Sequence, residues 1–268
     1  MNTRESTLVI DIETKKAAGA REDHHNLGIA VVGVYDYLKD EFLAFEERET
    51  AKLEELILKR NLIVGFNIID FDYRVLQPHL KSVKLEDVPT LDIIEEVRRF
   101  IGFRVALNNL AKHTLGEEKS GNGLEAVEWF HQGRIEDVKR YCLDDVRLTR
   151  DLYEYGKGEG VVKLESRERG VVAVPAGWAK LAQEREDIQN ILEEAGKKNL
   201  VVEIDYVSSN PGEGEEARKR RAIEVRAIHG GTIEAYCYLR QDVRNFRLSR
   251  ILGADIKEGA FQTRPTLF

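Results

Sequence analysis

Two acidic residues stand two positions apart near the start of the chain. Leu8-Val-Ile-Asp-Ile12 reads as a buried strand, and Asp11 and Glu13 lie at its end. Residues two apart on a strand point to the same side of a sheet, so both carboxylates project together. Burying two like charges is costly unless a cation compensates them. The pair indicates either a divalent-cation site or the solvated start of a loop.

A second acidic segment runs from Gly65 to Asp72 and continues into Tyr73-Arg-Val-Leu76. A short apolar run ends there and a helix begins, with Asp70 and Asp72 in its early part. An acid in this position can take part in chemistry, or it can simply interact favourably with the positive end of the helix dipole. The segment alone leaves both interpretations open.

A third acidic segment lies in a long helical stretch. Tyr141 and Asp145 are separated by four residues and therefore share a helix face, together with apolar residues such as Val138. This face points inward, where an acid needs a partner, whereas Asp144 lies on another, solvated face. The alternative for Tyr141 is core packing with a satisfied hydroxyl.

The elements that position these residues alternate between strands and helices, which predicts a mixed sheet with helices packed on it. Strands are predicted at 8–12, 27–37, 61–65 and 90–94, and helices at 51–60, 70–80 and within 106–155. Gly156, Gly158 and Gly160 suggest a flexible break after these elements.

The remainder of the chain has a different pattern. We expect a hairpin over 161–174 with its turn at 169–170, a helix over 177–195 and a loop over 208–214. Short strands are predicted at 200–206, 221–228, 232–239 and 245–251, and such a series suggests a small β-barrel. The predicted organisation is a first domain over 1–156, a hairpin and helical linker over 157–195 and a β-domain with a tail over 196–268.

In order and spacing, the three acidic segments resemble the DEDD superfamily of 3′–5′ exonucleases. The first motif is resembled by Asp11-Ile-Glu13-Thr14 and the third by Tyr141-x-x-x-Asp145. The second is resembled by residues 65–76, where the pattern N-x-x-x-F-D ends on Asp72. The tyrosine form (DEDDy) is favoured because Arg140 occupies the position of the histidine in the other form. The stretch 107–116 with Lys119 resembles the segment between the second and third motifs.

The resemblance covers about 150 residues and is nearest to the YprB-like nucleases and the proofreading domains of family B polymerases. It implies a ribonuclease-H-like fold and two Mg²⁺ or Mn²⁺ ions, which prefer oxygen ligands. It further implies that Asp11, Glu13 and Asp145 hold one ion, that Asp11 bridges to the second and that Asp72 acts mainly through bound water. Tyr141 would orient the attacking water. The backbone around Ile12-Glu13-Thr14 would grip the terminal nucleotide, and Asn67 and Phe71 would contact its sugar or base or serve as scaffold.

The C-terminal part resembles a WYL domain, which has an Sm-like or SH3-like barrel. The resemblance is carried by 233–240, by 243–251 and by the strands at 200–206 and 221–226, but Gly231-Thr232-Ile233 replaces the Trp-Tyr-Leu triplet that names the family. The resemblance implies binding of nucleic acid or nucleotide-type ligands, and the missing triplet weakens that implication.

Basic residues support a binding role for this part only modestly. Residues 196–252 contain eleven Lys or Arg and eight Asp or Glu, a net charge of +3. Arg244 and Arg250 would share one strand face and Arg247 the other, where they could contact phosphates or protect a solvated strand edge. The run 219–221, which ends at Arg221, is expected to be a loop with incidental phosphate contact.

Bulk properties exclude several classes of protein. A net charge of −7 argues against a protein covered in positive charge, and two cysteines without CxxC spacing support neither a disulfide framework nor a zinc ribbon. The chain has no signal pattern and no membrane-length apolar run, so a cytoplasmic location is expected. The hypothesis is a metal-dependent 3′–5′ exonuclease acting on single-stranded DNA ends. The alternatives are a WYL-type regulator with a non-catalytic nuclease-like scaffold and a nuclease acting on RNA.

Overall fold

The first half of the chain is built on a five-stranded mixed sheet. The computed structural model describes residues 6–17, 24–118, 123–168, 170–207, 218–229, 231–248 and 251–260. The strands of this sheet are β1 (Thr7–Thr14), β2 (Ile29–Asp36), β3 (Glu41–Phe45), β4 (Leu62–Gly65) and β5 (Thr90–Asp92), in the spatial order β3-β2-β1-β4-β5. β1 is antiparallel to β2 and parallel to β4, and β4 is parallel to β5. The predicted mixed sheet is confirmed.

Helices flank this sheet, as the alternation of patterns predicted. They are α1 (Thr50–Leu58), α2 (Tyr73–Leu76), α3 (Ile93–Ile101), α4 (Leu107–Leu115), α5 (Gly123–His131) and α6 (Ile135–Glu159). The longest, α6, packs on β1 and β2. Its buried residues recur every three or four positions, which is the spacing of an inward-facing helix stripe.

Strand β1 lies at the centre of the sheet and is covered on both faces. Leu8, Val9 and Ile10 are almost completely buried, which explains why β1 reads as a continuous apolar run rather than an alternating one. Asp11 is the only residue of β1 that is partly exposed. The centre of the sheet therefore opens to the surface at this carboxylate.

The predicted flexible break at 156–160 is wrong. Helix α6 continues through Glu159 and ends with Gly160 as a left-handed C-cap at φ 67°. Gly156 lies inside the helix, where an added Cβ would come within 2.3 Å of the Trp178 ring. This glycine serves close packing rather than flexibility.

The predicted hairpin is confirmed as β6 (Val161–Ser166) paired antiparallel with β7 (Gly170–Pro175); Arg169, at its predicted turn, lies outside the described residues. Val162, Leu164 and Val174 are buried in the same hydrophobic core as the central strands β1 and β4. The hairpin therefore contributes to the core of this part of the chain.

Two local predictions are corrected around the sheet, and one strand had not been predicted. The strand expected over 90–94 ends at Asp92, because this residue caps α3 by accepting a hydrogen bond from the backbone N–H of Ile94. The helix expected over 70–80 is a π-helical turn (Ile68–Asp72), then α2 and a 3₁₀ turn (Gln77–His79) containing Pro78. Strand β3 was not predicted because it is a half-exposed edge strand without alternation.

The C-terminal part combines one helix with a second antiparallel sheet. Its elements are α7 (Trp178–Lys198), β8 (Leu200–Val207), β9 (Arg218–His229), β10 (Thr232–Cys237), β11 (Asp242–Arg247) and β12 (Ile251–Ala260). The sheet order is β11-β10-β9-β8-β12. Ile188, Leu192 and Ala195 of α7 pack against apolar side chains of the sheet, including Val202 and Ile223.

Three features of this sheet differ from the predictions. Strands β11 and β12 stand at opposite edges, and no pairing between them closes a barrel within the described ranges. The single strand expected over 245–251 is two strands, since β11 ends at Arg247 and β12 begins at Ile251. Residues 219–221 belong to β9 rather than to a loop, because they pair with β8. The loop predicted at 208–214 lies outside the described residues.

Contacts divide the chain into two compact units. One comprises Met1–Glu86 and Thr90–Ala182, and the other comprises Asp87–Pro89 and Gln183–Phe268. The division falls inside α7, so the segment 157–195 belongs partly to each unit. None of the helices in the described ranges combines the length and apolar composition needed to cross a bilayer.

Candidate metal centre

Three carboxylates converge where the centre of the first sheet opens to the surface. Asp11 and Glu13 come from β1, and Asp145 comes from α6. Each offers an oxygen, and these oxygens all lie within 4.8 Å of one another. Glu13 and Asp145 are 7% and 2% exposed. Buried carboxylates packed this closely repel one another unless a cation compensates them, and oxygen donors suit hard divalent ions such as Mg²⁺ or Mn²⁺.

Cys142 on α6 contacts both the backbone and the carboxylate of Asp11. Its Sγ donates to the backbone oxygen of Asp11 at 3.4 Å and lies 3.7 Å from the Asp11 Oδ2. Burial raises the pKa of the Cys142 thiol well above its usual value, and the negative charges of Asp11 and Glu13 raise it further. The residue is therefore a neutral thiol that donates to Asp11, because a thiolate there would repel the carboxylates.

Asp72 lies in the same cleft, outside the closest group of three. It ends the π-helical turn and is 4% exposed. Burial raises the pKa of the Asp72 carboxyl well above its usual range, and the negative charges of Asp11 and Asp92 add to this effect. A positive charge in the cleft would favour the ionised form of this group.

The loop that leads to Asp72 is held by Asp92, which the sequence analysis missed. Asp92 Oδ1 accepts from the backbone N–H of Asn67 at 2.8 Å, and its Oδ2 accepts from that of Ile69 at 3.1 Å. Asn67 has a left-handed conformation with φ 64°, which asparagine tolerates better than most residues. One sequence signal was available: Asp92 precedes an amphipathic helix with Glu95 three positions later, the pattern of a helix N-terminus.

The carboxylates line an open cleft of about 590 Å³. Its walls also include three residues predicted to touch a terminal nucleotide, namely Thr14, Asn67 and Phe71. Thr14 Oγ1 donates to the backbone oxygen of Lys16 at 2.7 Å. The ring of Phe71 meets that of His24 edge to face at a centroid distance of 5.1 Å. These residues therefore share one cavity with the acidic group.

The neighbouring acids lie in different surroundings. Asp70 is partly exposed and pairs with Arg104 at 3.0 Å and with Arg74 at 3.7 Å. Asp144 is partly exposed and pairs with Arg147 at 3.2 Å. Neither Asp70 nor Asp144 lines the acidic cleft in the described part of the chain. The acids that line the cleft are instead Asp72, two residues after Asp70, and Asp145, which directly follows Asp144.

Tyr141 does not line the acidic cleft in the described part of the chain. It is buried one helical turn before Asp145, and its ring meets that of Trp129 edge to face at 6.0 Å. The side chain lines a second cleft, of about 640 Å³, together with residues such as Arg140 and Asp144. The structure thus shows the inward-facing position predicted for Tyr141, in a cavity different from that of the carboxylates.

Arg104 is a second residue that the sequence analysis missed. It lies between α3 and α4 and lines the acidic cleft. Its Nη1 donates to Asp70 Oδ2 at 3.0 Å, and its Nη2 donates to Asn67 Oδ1. These partners are more than thirty positions away in the sequence, so no local pattern marked the residue.

The basic residues predicted in the C-terminal part have unequal exposure. Arg221 is buried on β9, with its guanidinium 5.8 Å from the centre of the Tyr206 ring. Arg244 and Arg247 are exposed on β11, where Arg244 pairs with Asp242 at 3.5 Å. Arg250 lies outside the described residues, as does Lys119, the candidate nucleic-acid contact in the segment between the second and third motifs. Arg244 and Arg247 can therefore contact a ligand at the surface, whereas the buried side chain of Arg221 cannot.

Several solved structures resemble this chain at low identity. The family B DNA polymerase of Pyrobaculum calidifontis is 18% identical with a TM-score of 0.45, over 56% of this chain and 24% of that one. E. coli exonuclease I in complex with a dA16 oligonucleotide is 12% identical with a TM-score of 0.35, over 86% and 54%. The proteasome accessory factor PafBC of Arthrobacter aurescens is 15% identical with a TM-score of 0.26, over 87% and 25%.

The chain thus spans between about a quarter and about half of the length of these proteins. A search of curated protein sequences found no match. A family model gives a more specific result, because the model described as the RNase H superfamily matches residues 8–156. This range contains β1 from Leu8 onward, α6 as far as Gly156 and the described carboxylates of the acidic cleft, and it is more than half of the 268 residues. The chain belongs to the RNase H superfamily.

Proposed function

We propose that this protein is a metal-dependent 3′–5′ exonuclease that hydrolyses phosphodiester bonds at the 3′ end of single-stranded DNA. The observation that carries the proposal is the convergence of Asp11, Glu13 and Asp145, whose oxygens lie within 4.8 Å, in a cleft that also contains Asp72. Membership of the RNase H superfamily and the ordered DEDD-type motifs support it.

The donor set fits two Mg²⁺ or Mn²⁺ ions. Asp11, Glu13 and Asp145 would hold one ion, and Asp11 would contribute to holding the second, where Asp72 would act mainly through bound water. Bound divalent ions supply charge neutralisation for the phosphodiester and lower the pKa of water. The protein contributes the fixed placement of these carboxylates, which is set by β1, by α6 and by the loop that Asp92 holds.

Other cleft residues would position the end of the strand. Thr14 and the backbone around it would contact the terminal nucleotide, and Asn67 and Phe71 would contact its sugar or base, since they line the same cavity. Tyr141 would orient the attacking water, as the DEDDy pattern suggests. Its position one helical turn before Asp145 supports this role, and its side chain lines the neighbouring cleft.

The C-terminal sheet would hold or guide the strand. We propose a WYL-like domain over 196–268, joined by 157–195 to an exonuclease domain over 1–156. The antiparallel sheet and the exposed Arg244 and Arg247 on its edge strand β11 support phosphate contact there.

The proposal is tested with oligonucleotides labelled at the 5′ or the 3′ end. Single-stranded DNA, duplex DNA and RNA are incubated with wild type and Asp11→Ala in Mg²⁺, Mn²⁺ or EDTA. We expect a ladder of shortened 5′-labelled single-stranded DNA that requires metal and Asp11. If RNA were degraded in preference to DNA, the substrate would be RNA rather than single-stranded DNA. Absence of metal-dependent degradation by wild type would refute the enzyme and leave a binding protein built on a nuclease-like scaffold.

A further inference from the structure

We infer that Arg104, together with Asn67, forms a subsite for a backbone phosphate of the strand whose end occupies the acidic cleft. The inference rests on the proposed function and extends it to a residue outside the exonuclease motifs. It assigns a ligand class, an internal phosphodiester, to the part of the cleft beside the carboxylates.

The charge distribution among the described residues of the cleft favours such a residue. Among the described residues that line it, Asp11, Glu13, Asp72 and Asp145 are acidic, and Arg104 is the one Lys or Arg. Metal ions can neutralise the phosphate that is being cut, but the neighbouring phosphates of the same strand would still face a negative surface. An arginine at the wall of the cleft offers the positive charge that these phosphates need.

The guanidinium of Arg104 is positioned to meet a phosphate. It already donates to two oxygen acceptors, Asp70 Oδ2 at 3.0 Å and Asn67 Oδ1. A planar guanidinium presents two parallel N–H groups, which match phosphate oxygens as well as carboxylate oxygens. The contact with Asp70 shows that this guanidinium binds an anion. A phosphate would reach it from the cleft, which Arg104 lines and Asp70 does not in the described residues.

Exchange of Asp70 for a phosphate costs little. The side chains of Arg104 and Asp70 are 46% and 41% exposed, and exposed ion pairs of this kind contribute little to stability. Asn67 is the fixed part of the subsite, because Asp92 holds its backbone N–H at 2.8 Å in the left-handed conformation. The amide nitrogen of Asn67 adds donors of the type that a phosphate oxygen accepts.

The chain provides a matched control. Arg74 pairs with the same carboxylate, Asp70, at 3.7 Å and is 55% exposed, but it does not line the described part of the cleft. Replacing Arg74 likewise removes one positive charge and one arginine partner from Asp70. A difference between the two variants therefore reports on the cleft itself.

The experiment measures binding of a fluorescent single-stranded DNA oligonucleotide by anisotropy over a series of salt concentrations. Ca²⁺ replaces Mg²⁺ so that cleavage does not consume the oligonucleotide. Full-length wild type, Arg104→Ala, Arg104→Lys and Arg74→Ala are compared. Mn²⁺ affinity, measured by calorimetry, and the melting temperature show whether the carboxylates and the fold are intact.

We expect Arg104→Ala to bind roughly tenfold more weakly, the size of one charge-assisted contact. The slope of log K against log salt should fall by about 0.7, the value for one phosphate contact on a single strand. Arg104→Lys should keep the slope, because the charge remains, and recover part of the affinity. Arg74→Ala should match wild type, and no variant should change Mn²⁺ affinity.

An unchanged slope in Arg104→Ala, or an equal loss in Arg74→Ala, would overturn the inference. Loss of slope in Arg104→Lys would also contradict a charge contact. Failure of the proposed function has a different signature, since wild type would bind the oligonucleotide with the Arg104-dependent slope but would not degrade it in Mg²⁺. Wild type that does not bind the oligonucleotide at all would overturn both.

Discussion

Asp11 on β1 lies directly opposite Gly33 on β2 in the antiparallel register. A Cβ added to Gly33 would lie 2.9 Å from Cys142 Sγ and 3.0 Å from Val146 Cγ2, both on α6. The glycine therefore allows α6 to approach the sheet closely at the level of Asp11. This approach brings Asp145, which α6 carries, within reach of the two carboxylates of β1.

The close approach at Gly33 gives the first prediction. Gly33→Ala should destabilise the protein by about 1–3 kcal/mol, because the new methyl group overpacks the contact between sheet and helix. Metal affinity should fall as well, because α6 must shift away from Asp11. Urea unfolding and Mn²⁺ calorimetry measure the two effects.

Gly158→Ala is the matched control for Gly33→Ala. Gly158 lies inside α6, and a Cβ there would meet nothing within 4 Å. Alanine should stabilise the helix by about 0.5–1 kcal/mol. If Gly33→Ala were as stable as wild type, Gly33 would not determine the position of α6.

The second prediction concerns the support of Asp72. Asp92→Ala removes the acceptor of the N–H groups of Asn67, Ile69 and Ile94. Loss of a helix cap and of loop hydrogen bonds should cost about 2–4 kcal/mol of unfolding free energy. Nuclease activity should fall by more than the change in folded fraction explains, because Asp72 follows this loop. Asp92→Asn, which keeps one acceptor oxygen, should lie between wild type and Asp92→Ala, and equal activity of all three would contradict the role of Asp92.

The third prediction tests Tyr141. Tyr141→Phe keeps the ring that packs against Trp129 and removes only the hydroxyl. If the hydroxyl orients the attacking water, kcat should fall at least about tenfold, while Mn²⁺ affinity stays that of wild type. An unchanged kcat would show that Tyr141 serves packing alone and that the DEDDy assignment is wrong.

The fourth prediction is a pH dependence in the second sheet. The Tyr238 hydroxyl donates to Glu224, and burial, together with this carboxylate, raises the pKa of Tyr238 to about 12. Because an unfolded tyrosine has a pKa of about 10, the unfolded state loses its proton first as the pH rises. The stability that this group contributes is complete below about pH 10 and is lost between about pH 10 and 12.

Chemical unfolding of wild type and Tyr238→Phe measures this contribution without interference from the other tyrosines. The difference in unfolding free energy between the two proteins should shrink between about pH 9 and pH 11.5. A difference that stays constant with pH would show that Tyr238 ionises as an ordinary exposed tyrosine.

The sequence was informative where function and local pattern coincide. Asp11 and Glu13 stand on a central strand whose apolar residues are consecutive, and Tyr141 and Asp145 stand on a helix with clear periodicity. Local spacing was enough to predict the elements, and the order of the motifs was enough to predict the superfamily.

Features that depend on distant partners could not be predicted in this way. Arg104 acquires its position from Asn67 and Asp70. The residues next to Gly156 in the sequence suggest a flexible break. The glycine lies inside a helix instead, where the ring of Trp178 leaves no room for a side chain. Arg221 reads as one of three loop cations, yet its pairing with β8 buries it. In each case a tertiary contact determines the role of the residue.

We propose that Asp145, and not its neighbour Asp144, completes a metal centre that cuts nucleic acid. The most direct measurement is the rate of degradation of 5′-labelled single-stranded DNA in Mg²⁺ by Asp145→Asn and Asp144→Asn. Asp145 is buried in the cleft, whereas Asp144 pairs with Arg147 outside it. Asp145→Asn should reduce the rate at least about a thousandfold, and Asp144→Asn should stay within about threefold of wild type. Equal rates in the two variants would contradict the assignment of Asp145 to the metal centre.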